Sequence, residues 1–211
     1  MNISWRGHAS FLIEADGKRI VTDPFNAELG YPISPIDADI VTVSHEHWDH
    51  NAVETIEGNP QVIRGNDTVQ TAGITIKGIA SWHDQHQGRE RGTNTIYKIS
   101  VEGLDLVHLG DLGQLLSAQQ VQEIGNVDIL LLPVGGKFTI GAEDAYLIVN
   151  LLQPKTVIPM HFGTPHLSFA LAPVEEFISR FDKVIKKSSL EVQPGNLGTD
   201  MRIIVLDYLS S

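Results

Sequence analysis

Asp39-Ile40-Val41-Thr42-Val43-Ser44-His45-Glu46-His47-Trp48-Asp49-His50 is the stretch on which the reading of this chain turns. Residues 39–44 are rich in β-branched apolar side chains, the composition of a strand packed among neighbours. Directly after them, three imidazoles and a carboxylate fall within six residues. In extended chain, residues two apart point to the same side, so His45 and His47 can grip one ion together. The chain then turns and offers Asp49 and His50 to a neighbouring position. A solvated polar loop explains the pattern poorly, because these groups crowd one another unfavourably without a cation. Imidazole and carboxylate suit zinc, iron, manganese or nickel. The chain has no cysteine, which argues for a hydrolytic rather than a purely structural metal.

Outward from this stretch, strands come first and helices later. Upstream, residues 3–5, 10–14 and 19–22 are β-rich runs separated by Gly7 and by Ala15-Asp16-Gly17-Lys18, the pattern of a meander. Downstream, strands are expected at 61–64, 73–79, 95–101 and 105–109. Residues 127–133 and 156–160 are continuous apolar runs, as in strands covered on both faces. Helical spacing governs 117–124, with Ser117 as N-cap. It also governs 142–152, where Ala145, Ile148, Val149 and Leu152 share a face behind the acidic Glu143 and Asp144. Residues 173–181 put Pro173 at a first helical position and align Val174, Phe177, Ile178 and Phe181. A shorter helix is expected from His50 or Asn51, and Lys183, Lys186 and Lys187 read as the solvated end of a helix. This order suits two packed sheets flanked by helices. No linker or break in composition interrupts the 211 residues, so one domain over 1–211 is expected.

Bulk properties narrow the function classes. With 42% hydrophobic and 19% charged residues the composition is that of a globular protein, and a chain of this length buries roughly 70% of the surface its unfolded form exposes. The formal net charge of −11 repels phosphate backbones, and no Lys/Arg cluster offsets it, so nucleic acid is not an expected partner. No apolar run approaches the roughly 18 residues of a membrane span, and the opening Met1-Asn2-Ile3-Ser4-Trp5-Arg6 lacks the build of a signal peptide. The expectation is a cytoplasmic protein acting on a small molecule, with a homo-oligomer allowed.

Further segments fall in order around the histidine loop: Gly7-His8-Ala9-Ser10-Phe11, Thr22-Asp23-Pro24-Phe25, His108-Leu109-Gly110-Asp111, Pro133-Val134-Gly135-Gly136 and Pro159-Met160-His161. Together with that loop they resemble the metallo-β-lactamase superfamily, and within it the small metal-dependent hydrolases similar to ascorbate-6-phosphate lactonase. The resemblance spans nearly the whole chain. It implies an α/β (α+β) fold, a four-layer αββα sandwich, with two divalent metal ions on the sheet edges. Zinc is the foremost candidate, and manganese and iron are alternatives. One metal would take His45, His47 and a third histidine from residues 81–86, with His83 chosen and His86 the alternative. The other would take Asp49, His50 and His161. Asp111 matches the bridging carboxylate, although in isolation it also reads as a turn aspartate capping Leu112-Gly113. Two such cations lower the pKa of a bridging water from 15.7 toward about 7, and Asp49 is placed to orient that nucleophile or relay a proton.

Other polar residues carry two readings each. His8 either lines the pocket or supports a neighbour, Asp23 is expected to hydrogen-bond a ligand histidine, and His108 is expected to be structural. His166, in a Gly/Pro loop, is a candidate substrate contact. So are Arg89 and Arg91 in the polar loop 84–92, where bidentate binding of phosphate or carboxylate competes with local pairing to Glu90. Lys137 after Gly135-Gly136 hints at an anionic substrate. The expected function is a hydrolase using a metal-bridging hydroxide on a small, anionic or neutral, ester, lactone or phosphoester. The alternatives are a phosphodiesterase acting on nucleotides or RNA ends, and a non-hydrolytic di-iron or metal-binding protein.

Overall fold

Ala15-Asp16-Gly17-Lys18 closes a two-residue hairpin with positive φ at Asp16 (51°) and Gly17 (67°), the geometry that matches strand twist and that Asp-Gly supplies readily. Turns of this kind set up a strand-rich N-terminal half in the computed structural model, which describes residues 1–71, 73–198 and 200–208. In chain order the strands of that half are β1 (Asn2–Gly7), β2 (Ser10–Ala15), β3 (Lys18–Thr22), β4 (Ile36–Asp37), β5 (Ile40–Val43), β6 (Ile56–Glu57), β7 (Gln61–Arg64), β8 (Thr68–Thr71) and β9 (Ile74–Trp82). There follow β10 (Thr93–Val101), β11 (Leu104–His108), α1 (Ala118–Ile124), β12 (Ile129–Pro133), α2 (Ala142–Leu152), β13 (Thr156–Met160), α3 (Glu175–Ile178), β14 (Val184–Lys187), β15 (Leu190–Glu191) and β16 (Arg202–Leu206).

These strands form a six-stranded sheet, ordered β15-β1-β2-β3-β5-β7, and an eight-stranded sheet, ordered β14-β16-β13-β12-β11-β10-β9-β8. Each mixes an antiparallel part with a parallel part, and β11-β12-β13-β16-β14 run parallel. The inward side chains of both sheets, Ile3, Phe11, Ile13 and Ile20 on one and Ile76, Ile99, Leu106 and Leu131 on the other, belong to one buried cluster. Tyr97 ties the layers together by donating its hydroxyl to Val43 O at 3.0 Å. The sandwich expectation is met. The eight-stranded sheet carries the α-helices, with α1 held on β9 by Gln120 Nε2 to Ala80 O at 2.8 Å. The outer face of the six-stranded sheet is covered by Ala38, Ile56 and Val53, that is, by the small β4–β6 ribbon and a 3₁₀ turn, not by a long helix.

Ser117 caps α1 in a reciprocal capping box with Gln120, and α2 spans residues 142–152 with the expected face buried. Three local expectations fail. The helix expected from His50 or Asn51 is a 3₁₀ turn at Val53–Thr55, because Ala52 N–H is taken by Pro24 O at 2.9 Å and the chain is drawn out of helical register. The helix expected over 173–181 is regular only at Glu175–Ile178 and begins after Val174, so Pro173 lies outside it. Lys183 precedes, and Lys186 and Lys187 lie within, strand β14, whose residues pair in parallel with Ile203 to Leu206. The partner that makes this segment a strand comes later in the chain, so local periodicity does not reveal it.

Candidate metal centre

The segments that the sequence reading singled out follow strand ends that meet at one edge of the sandwich. His8 follows β1, Asp23 follows β3, His45 to His50 follow β5, His83 follows β9, Asp111 follows β11 and His161 follows β13. Because β9 and β11 both run antiparallel to β10, their carboxyl ends point the same way, and β13 runs with β11 through β12. Carboxyl ends of strands are where α/β folds build sites. Three non-glycine residues here, His8 (φ 53°), Asp23 (φ 38°) and His161 (φ 52°), adopt left-handed backbone, a conformation that costs on the order of 1–3 kcal/mol each and that clusters at functional sites.

Two histidine groups result. In one, ring nitrogens of His45, His47 and His83 lie within 4.8 Å of one another, with His45 Nε2 3.1 Å from His47 Nδ1. In the other, His8, His50 and His161 meet the same limit. Asp111 stands between the groups: its Oδ2 is 3.2 Å from Nε2 of both His83 and His161, and its Oδ1 is 3.4 Å from His50 Nε2. His50 Nε2 and Asp111 Oδ1 are buried without a hydrogen-bond partner among the described residues. Converging lone pairs of nitrogen and oxygen, with too few protons to satisfy them, fit divalent cations and not a hydrogen-bonded core. His86, the alternative third histidine, is exposed and lies 2.8 Å from Glu90 Oε1, away from both groups.

Asp23 explains how the rings are aimed. Its fully buried carboxylate accepts from Ser44 N at 2.7 Å through Oδ1, and from Ser44 Oγ at 2.6 Å and His50 Nδ1 at 3.0 Å through Oδ2. With its own proton committed to Asp23, Ser44 Oγ accepts from His45 Nδ1 at 2.9 Å. Both histidines therefore turn Nε2 inward, the atom that a ligand would use. One carboxylate thus orients a member of each group. On the other side, His8 Nε2 lies 3.2 Å from Asp49 Oδ2. His8 is fully buried, packed against the rings of His50 and His161.

Electrostatics agree with this division. Burial, reinforced by His50, brings His45 down to about 3, and burial with His161 brings His8 down to about 3, so both rings are neutral at neutral pH. Burial opposes the charge on His50, yet Asp111, Asp23 and Asp49 together raise it well above the ordinary histidine value. Asp111 moves the other way: burial works against its charge, but His161 and His50 hold it well below the carboxylate range. The carboxylate field that draws a proton to His50 would also attract a metal cation.

A family model described as a β-lactamase superfamily domain matches residues 2–161. The chain belongs to the metallo-β-lactamase superfamily. It is similar to a metal-dependent hydrolase of Methanopyrus kandleri, 28% identical in an alignment that covers 98% of this chain and 97% of that protein. A metal-dependent hydrolase of Archaeoglobus fulgidus is 31% identical, with 92% and 94% covered. A solved structure from Thermotoga maritima, a proposed Zn-dependent hydrolase of the metallo-β-lactamase superfamily, is 39% identical with a TM-score of 0.83 and covers 97% of both chains.

In this metallo-β-lactamase fold a cavity of about 430 Å³ opens over the histidine groups, lined by His47, Asp49, His83, Asp111 and His161 below and by Trp48, Arg91, Phe138 and Phe169 at the rim. Arg91 thus faces the site, 5.7 Å from the Phe138 ring centre, whereas Arg89 is exposed and does not line the cavity. Lys137 lies above the rim, its Nζ 4.9 Å from the Phe138 ring centre. His166 packs against Tyr31 and Tyr208 outside the cavity, so its expected substrate contact is not seen. His108 is structural, its Nε2 2.8 Å from Ala9 O.

Sequence reasoning missed several contributors. Ser44 relays Asp23 to His45, and Asn94 accepts from Asp111 N at 2.9 Å. Asp84 accepts from four backbone amides, those of His86, Gly88, Glu90 and Arg91, and so shapes the loop that carries Arg91. An aspartate opening a glycine-bearing turn was the available signal for Asp84. The aromatic rim gave none, because Phe138 and Phe169 are brought together only by folding.

Proposed function

We propose that this chain is a dinuclear metal-dependent hydrolase acting on a small ester, lactone or phosphoester, with anionic substrates favoured. The coarser statement, a metal-dependent hydrolase of the metallo-β-lactamase superfamily, rests on the family match, the relatives and the His/Asp cluster. The finer one is carried by a single observation: the Asp111 carboxylate lies between two histidine groups, within 3.4 Å of His50, His83 and His161. In this reading His45, His47 and His83 would hold one ion and Asp49, His50 and His161 the other, with Asp111 available to both. When bound, the ions supply Lewis acidity and a water acidic enough to act as nucleophile near neutral pH.

The protein's own groups supply the rest. Asp49, fixed by His8 at the cavity floor, orients the nucleophile and accepts its proton. Arg91 offers a planar fork to a phosphate or carboxylate on the substrate. Trp48, Phe138 and Phe169 give the cavity apolar walls, which would thin the water around a bound substrate. A cavity of about 430 Å³ is the size of a small-molecule site.

The test is the metal content of protein purified without chelators, by mass spectrometry, for wild type, His47→Ala and His161→Ala. The expected result is about two ions per chain in wild type and loss in each variant, followed by turnover in a lactone, ester and phosphoester panel with that metal. Wild type that stays metal-free after reconstitution would overturn the reading, and turnover of phosphodiesters alone would move the assignment to a phosphodiesterase.

A further inference from the structure

A second cavity, of about 230 Å³, lies on the outer face of the six-stranded sheet and shares no lining residue with the metal cavity. Strand alternation builds it. Ile3 and Trp5 of β1 and Ile20 of β3 point into the core, so Arg6 and Arg19 point outward, where the segment containing Pro32 and Ile36 covers them and Tyr208 closes one side. No acidic side chain lines the cavity.

The two arginines are unequally satisfied. Arg19 Nη1 pairs with Asp37, but its Nε is buried without a hydrogen bond and lies 3.9 Å from Glu14 Oε1. Arg6 makes one long hydrogen bond, Nη2 to Ser34 O at 3.4 Å, and no described carboxylate pairs with it. A half-buried guanidinium with most of its five donors unused is costly. It is also out of place in a chain whose 26 acidic residues outnumber 15 Lys and Arg. Burial first, and then the neighbouring charge of Arg19, press Arg6 toward its neutral form, while Tyr208 opposes them. An anion reverses both pressures. Arg6 and Arg19 both line a cavity of this size, Arg6 with its fork largely unused, and a planar guanidinium matches the geometry of a phosphate or carboxylate group.

We propose that this cavity is a binding site for a small oxyanion, a phosphate- or carboxylate-bearing molecule held by Arg6 and Arg19. The site is independent of the metal centre, and its test is made on metal-stripped protein. Inorganic phosphate and citrate are titrated at constant ionic strength, with thermal unfolding and isothermal calorimetry as readouts. At a hundredfold excess over Kd, wild type and Arg91→Gln are expected to gain roughly 5–10 °C in Tm, and Arg6→Gln to gain almost nothing. Arg6→Lys, which keeps the charge but loses the fork, is expected to bind about tenfold more weakly; it serves if Arg6→Gln does not fold. Absence of any saturable response in wild type, or a response in the Arg6 variants as large as that of wild type, overturns the proposal. So does a response that Arg91→Gln alone abolishes, since the anion would then sit at the metal cavity.

Discussion

Replacing Asp23 with Asn changes one atom of a carboxylate that touches no substrate, yet it should disarm both histidine groups. Asn tolerates the left-handed backbone at this position (φ 38°), so the variant tests hydrogen bonding and not strain. The amide oxygen still accepts from Ser44 N, but an NH₂ group replaces the oxygen that receives Ser44 Oγ at 2.6 Å and His50 Nδ1 at 3.0 Å. To avoid a donor–donor contact, His50 must move its proton to Nε2, which then faces Asp111 Oδ1 and has no lone pair for a metal. Two hydrogen bonds to a charged group are lost, each worth about 1.5–3 kcal/mol. Relief from burying a carboxylate offsets part of this, leaving a net loss of about 1–3 kcal/mol, or roughly 3–10 °C in Tm. Metal affinity should fall further, by about 10–100-fold. Competition with a chromophoric zinc chelator, paired with metal analysis and with the exposed Asp67→Asn as a surface control, measures this directly. If Asp23→Asn binds metal as tightly as wild type, Asp23 does not set the histidine tautomers and the reasoning fails, whatever happens to Tm.

Other expectations follow from the same geometry. His8→Asn, also tolerant of positive φ, should leave the fold intact and lower kcat about 10–100-fold with little change in KM, because Asp49 loses its partner; an unchanged kcat would remove His8 from the mechanism. Gly113→Ala should cost about 1–3 kcal/mol, since a β-carbon there collides with the backbone of His83, and its metal content should fall with it; full occupancy at wild-type Tm would contradict this. Asp84→Ala should open residues 84–92 to limited proteolysis. Burial would raise the Asp84 carboxyl, but the four amides hold it down to about 2. A depressed carboxyl stabilises the fold above its unfolded value, near 3.9, and loses that contribution as pH falls toward about 2. The stability gap between wild type and Asp84→Ala should therefore be constant above about pH 4 and shrink below it, and a gap that widens on acidification would refute the assignment.

How much of the site was legible depended on distance along the chain. His45, His47, Asp49 and His50 were readable because a strand followed by a turn fixes their relative directions within six residues. His83, Asp111 and His161 were readable as strand-end residues, and the structure brings all three to the same edge. Roles that depend on a contact between distant segments were not readable. His8 carried two readings, pocket lining or support of a neighbour, and only the fold sets it against Asp49, 41 residues away. His166 looked like a substrate contact, but Tyr31 and Tyr208 claim it.

By itself the sequence determined the strand pattern, the donor chemistry of the centre and the order in which its parts appear, because periodicity, turn chemistry and ligand type are properties of short segments. It did not determine which segments pair. Lys186 and Lys187 are in a strand only because Val205 and Leu206 lie beside them, and residues 173–181 keep one short helical turn where local spacing promised more. The tertiary structure also decided the selection among candidates: His83 over His86, Arg91 over Arg89, and Asp111 as the group between two sites. Those choices follow from burial and from the meeting of two sheet edges, and no window along the chain contains both edges.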